Sequence, residues 1–159
     1  MKHFSIFLAI LFATLAVNST FAQSGRTSVK QAAADIEAGT STKEAISNRQ
    51  EALKWTIETD EISLIACGGT FGPFVDKKNK NGPELTEAYM IGMAADRLDN
   101  PNENENAVQQ AGVELALKVY DRITKEKPKT KFKAVDDLIA KRDNGELAGF
   151  IAAANCGKK

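Results

Sequence analysis

Val108, Gly112, Leu115, Val119 and Ile123 follow one another at spacings of four, three, four and four. Such spacing puts side chains on one face of a helix, whereas a half-buried strand would alternate every second residue. A helical stripe of that length must be covered by other helices. The remaining apolar positions supply them. Val29, Ala33 and Ile36 mark a first short helix that Gly39 ends. Ser41 and Glu44 form a capping box for a second, whose expected core face is Ile46, Leu53 and Ile57. Asp60 can cap a short third segment, residues 61–67, carrying Ile62, Leu64 and Ile65; its β-branching leaves strand open beside helix.

Residues 68–83 hold four glycines and two prolines, which predicts a loop. Pro83 suits the first position of the following helix, residues 84–98, apolar on nearly every side through Leu85, Tyr89, Met90, Ile91 and Met93. Pro101 breaks the chain before the striped helix, and Pro128 stands just beyond that helix's end. Phe132, Val135, Leu138 and Ile139 give a further face. Asp143-Asn144-Gly145 turns the chain into a last helix with Leu147, Phe150, Ile151 and Ala154 inward. The expected fold is an all-α, irregular bundle of about six helices, one domain over residues 23–159.

The amino-terminal end reads differently. Lys2, an apolar run from Phe4 to Val17 and small residues at Thr20 and Ala22 describe a secretory signal peptide over residues 1–22, cut before Gln23. The run is shorter than the ~20 residues a spanning helix needs. The expected product is exported, periplasmic or extracellular, with no stable membrane span. In an oxidising compartment Cys67 and Cys156, the only two cysteines, are expected to form one internal disulfide. That bridge would close a loop worth at most about 4.5 kcal/mol by chain entropy. Loss of Lys2 from 21 basic side chains leaves 20 against 21 acidic, a net charge of −1. Such balance gives no general attraction to nucleic acid. The lysines at 125, 127, 129, 131 and 133 read as a solvated connector.

Function is bounded mainly by what is missing. The one histidine, His3, lies in the signal segment, so a cleaved chain could build no Ser-His-Asp centre and no HExxH zinc site. Gly68-Gly69-Thr70-Phe71-Gly72-Pro73-Phe74 is no phosphate loop, because Pro73 removes an amide and the first lysine comes only at Lys77. Phe71 and Phe74 are expected chiefly to plug the edge of the core; with Tyr89 they are also the candidate binding residues. Residues 99–105 fail the EF-hand pattern, with Pro101 at the third position and Asn104 at the sixth, and no metal or cofactor is expected. Acidic pairs such as Glu84 with Glu87 and Asp136 with Asp137 sit near helix starts, where the dipole favours them.

Tyr89-Met90-Ile91-Gly92-Met93, between an earlier and a terminal cysteine, resembles secreted helical immunity proteins of bacterial toxin systems over five residues and an order of landmarks. Those proteins commonly carry more cysteines. Ala116, Tyr120 and Pro128 are similar to part of a tetratricopeptide second helix, without a second copy. Neither likeness amounts to membership. The leading expectation is an exported, non-catalytic helical protein that binds a partner protein or ligand. A hydrolase-type enzyme working with carboxylates and no histidine is one alternative; an immunity-like or stress-related periplasmic protein is another.

Overall fold

The computed structural model describes residues 23–154; the expected signal segment and Cys156 lie outside them. Seven α-helices and no strand make up the described residues: α1 (23–38), α2 (Lys43–Glu58), α3 (Gly68–Val75), α4 (Gly82–Asp99), α5 (Glu105–Glu126), α6 (Lys133–Asp143) and α7 (Leu147–Ala154). A single 3-10 turn, Pro128–Thr130, joins α5 to α6.

Gly39, Gly145 and Pro83 punctuate the helices as read. Gly39 and Gly145 adopt φ of 72° and 74°, left-handed values that glycine tolerates without a Cβ clash. At both ends the next amide reaches back five residues, Thr40 to Asp35 (2.8 Å) and Glu146 to Lys141 (2.8 Å), closing a Schellman motif. Pro83 lies in the first turn of α4, where its missing amide costs nothing.

At the centre α4 and α5 pack as an antiparallel pair held unusually close by glycine. A Cβ on Gly92 would stand 3.0 Å from Gly112 Cα, and one on Gly112 would stand 2.7 Å from Tyr89 O and 2.6 Å from Met93 Cγ. Two helices meeting backbone to backbone gain dense dispersion contacts along their length. The other elements surround this pair, with Trp55 of α2, Phe74 of α3, Val135 and Leu138 of α6, and Ile151 of α7 buried around it. Trp55 also packs on α1, where a Cβ at Gly25 would fall within its ring.

Three sequence expectations need correction. Residues 61–67 are neither helix nor strand but an extended connection. Residues 68–75, expected as loop, form α3 despite three glycines and Pro73. Intrinsic propensity opposes that helix, and tertiary packing overrides it: Thr70 and Phe74, one turn apart, are both fully buried. Finally, α2 is turned on its axis. Its buried face is Ala45, Ala52, Trp55 and Thr56, while Ile46 and Ile57 are exposed at 42% and 65%. Burial of the single large Trp55 ring, flanked by small residues that admit it, outweighs burial of two isoleucines. The cap is likewise Thr42, whose hydroxyl accepts from the Ala45 amide at 3.2 Å.

Candidate functional site

The turn between α4 and α5 is organised by one arginine. Arg97, in the last turn of α4, donates to Glu103 O at 2.7 Å and to Glu105 Oε2 at 2.9 Å. Asn104 caps α5 by accepting from the Ala107 amide at 3.1 Å. Each charge stands where the helix dipole favours it, the cation at the end of α4 and Glu105 in the first turn of α5. The acidic stretch weighed above for calcium is thus largely taken up within the fold: Glu105 belongs to Arg97 and Asp99 to Lys30. Among the described residues no three His, Cys, Asp or Glu side chains gather as metal ligands.

Glu105 passes the arrangement inward. Its Oε1 accepts from Gln109 Nε2 at 2.9 Å, one turn along α5. Gln109 is fully buried, and its amide is committed on both sides. Nε2 also donates to Ile65 O, while Oε1 accepts from the Tyr89 hydroxyl and from Thr70 Oγ1 (3.1 Å). A buried amide with every partner in place stabilises one arrangement and penalises any other. This one fastens the extended connection (Ile65) and α3 (Thr70) to the α4–α5 pair. Burial, ahead of the nearby Glu105 charge, pushes the Tyr89 phenol above its ordinary pKa, so it stays a donor.

The three candidate binding residues do come together. Phe71 stacks on Tyr89 with ring centroids 5.0 Å apart, and Phe74 meets the same ring at 5.7 Å. Tyr89 and Phe74 are wholly buried and Phe71 half-buried, so the trio packs into the protein's own interior.

Over the Arg97–Glu105 pair lies a cleft of about 420 Å³ that sequence reasoning did not find. Its floor is Arg97 and Glu105, whose side chains are only 14% and 13% exposed. Ile62, Leu98 and Pro101 give it an apolar wall, and Ser63 stands beside them. Arg26 of α1 and Glu61 of the connection form an ion pair at its rim, 55% and 27% exposed. Its size falls within the ~300–1,000 Å³ of small-molecule sites, and its mixture of apolar wall with few convergent polar groups fits them. One signal was available beforehand: Gln109 interrupts the buried face of α5, and a polar side chain there must find partners.

A second cleft, about 240 Å³, opens where the Gly39 turn meets α2, α4 and α5. It collects Glu84, Glu87 and Glu126 with Arg49 and Arg122. Both arginines hold backbone carbonyls, Arg49 that of Thr40 (3.2 Å) and Arg122 those of Ile36 and Glu37 (3.1 Å to the latter). Burial pushes the Glu87 carboxyl above the usual range, with Arg49, 3.9 Å away, opposing and Glu84 adding to the shift.

No described helix is long and apolar enough to cross a membrane. No protein-family model matches this chain, and no curated protein or solved structure shows significant similarity to it.

Proposed function

We propose that this is an exported, non-catalytic binding protein that takes a small ligand in the cleft between Arg26, Glu61, Leu98 and Glu105. The carrying observation is the floor of that cleft: a largely buried Arg97–Glu105 pair fixed on both sides, by Glu103 O and by Gln109, before any ligand arrives. Groups held in place lose little freedom on binding, which is what favours affinity. Protein-observed NMR against a fragment library tests this. Shifts should concentrate at Ile62, Ser63, Leu98 and Glu105 and vanish in a Ser63→Trp variant that fills the cleft. Shifts gathered elsewhere, or none, would refute it.

Export rests on the apolar run to Val17 and the small residues before Gln23; intact mass of protein recovered outside the cytoplasm should begin at Gln23. The Cys67–Cys156 bridge belongs to the same proposal. Its support is that a Cβ on Gly69 would lie 3.2 Å from Ala154 Cβ, which sets positions two residues from each cysteine side by side. Thiol titration of the exported protein under denaturing, non-reducing conditions should find no free thiol, and two would refute the bridge.

A hydrolytic reading has one observation in its favour, the Glu84–Glu87 convergence with Glu87 shifted up, as a general acid needs. Glu87→Gln abolishing a hydrolase activity found in purified protein would move function to that cleft.

A further inference from the structure

We infer that the ligand of the first cleft is a zwitterion, a free amino acid with a branched apolar side chain. This rests on the reading of that cleft as the binding site. Four charged side chains line it, two of each sign, in two ion pairs. The inner pair is not available for exchange. Arg97 and Glu105 are mostly buried and hold further partners in Glu103 O and Gln109. The outer pair is different. Arg26 and Glu61 are exposed at the rim and reach each other across 35 residues of chain, and such solvent-exposed pairs are weak and so open readily.

A ligand that parts Arg26 from Glu61 must satisfy both. A simple anion would serve Arg26 and leave Glu61 beside a second negative charge; a simple cation would do the reverse. A molecule carrying carboxylate and ammonium on one carbon answers both at once, and leaves the cleft neutral as before. Arg97 on the floor of the same cleft adds a second positive charge for the carboxylate to approach. The apolar wall of Ile62, Leu98 and Pro101 then takes the side chain. In the occupied cleft the carboxylate faces Arg26 and Arg97, the ammonium faces Glu61, and a branched alkyl group lies on the wall.

The test uses three probes titrated into the whole exported protein and followed by amide NMR: L-leucine, N-acetyl-L-leucine and L-leucinamide. L-leucine should shift Ile62, Ser63 and Leu98, and each blocked derivative should bind at least about tenfold more weakly, since each strands one charged partner. Glu61→Gln, an exposed substitution with no bearing on folding, should weaken leucine about tenfold and leave leucinamide and N-acetyl-leucine no longer distinguished by their ammonium. Equal binding of leucine and either derivative overturns the inference. A cleft that responds to singly charged or neutral fragments but not to leucine overturns the zwitterion and keeps the binding reading. Silence toward leucine and the whole fragment library overturns both.

Discussion

The α4–α5 pair and the stretch from Thr59 to Val75 follow opposite rules. In the pair, each helix announces itself. Apolar residues recur at helical spacing, Pro83 and Asn104 mark the starts, and Gly92 and Gly112 bring the backbones together. In the other stretch the local sequence argues against what forms. A two-turn helix is built from Gly-Gly-Thr-Phe-Gly-Pro-Phe-Val, preceded by an extended run with β-branched residues. The first region supplies its own order, and the second borrows order from the first through Gln109, Tyr89 and Thr70. The proposed binding cleft is built at that seam, which is why a search for motifs passed over it.

The largest effect should come from the pair itself. Gly112→Val must push Tyr89 O, 2.7 Å from the new Cβ, and so part the two helices. It should cost about 3 kcal/mol in a denaturant titration, the upper end for overpacking. A loss under 1 kcal/mol would mean that the helices slide freely, and the contrast between the regions would weaken.

Next comes the seam. Gln109→Leu keeps the volume but removes the acceptor of the Tyr89 hydroxyl and the donor to Ile65 O, at roughly 1–3 kcal/mol for groups left unpaired, while Thr70 Oγ1 keeps Cys67 O. The loss should be regional. Amides of residues 61–75 should exchange faster while those of α4 and α5 change little.

Tyr120→Phe should cost less, about 1–2 kcal/mol. The Tyr120 hydroxyl accepts from the Phe132 amide (2.6 Å) and donates to Asp136 Oδ1 (2.7 Å), so it caps α6, whose own N-cap residue Phe132 cannot. Burial, the largest cause, pushes this phenol up to about 12. The neutral form therefore belongs to the fold. Its contribution is complete below the unfolded value near 10 and lost as pH rises through about 12. The variant should lack that alkaline loss in a melting series.

Smaller still is Glu87→Gln. The raised Glu87 carboxyl also favours its neutral form, so its contribution is full below the unfolded carboxylate value of 4.5 and is lost as pH rises through the higher folded value. Wild-type melting temperature relative to the variant should fall between pH 4 and 7; a rise would mean that Arg49 dominates. Least of all is Ile57→Ser on the exposed face of α2, expected within about ±0.5 kcal/mol.

Legibility in the sequence tracks these differences. Spacing located α4 and α5 because a long helix samples its period many times, and the Gly39 and Gly145 turns were plain because left-handed backbone favours glycine. Even there the stripe drifts. Val108, Gly112 and Leu115 are buried as read, but farther along Tyr120 and Thr124 are the buried positions while Val119 and Ile123 are only half-buried. On α2 a few apolar positions allowed two faces, and period alone could not weigh Trp55 against Ile46 and Ile57. Phe71, Phe74 and Tyr89 stack on one another as an internal wall. Arg97, Glu105 and Gln109 went unseen because their meaning lies in who they meet, within and between elements, and spacing records only faces.

Native-state hydrogen exchange tests the central claim most directly, since it measures opening region by region. Amides of residues 88–94 and 112–117 should open only with global unfolding. Those of residues 69–75 should open at a distinctly lower free energy, and rise toward the global value when the cleft is saturated with ligand. Equal protection in the two regions of the free protein, or no gain on saturation, would contradict the account.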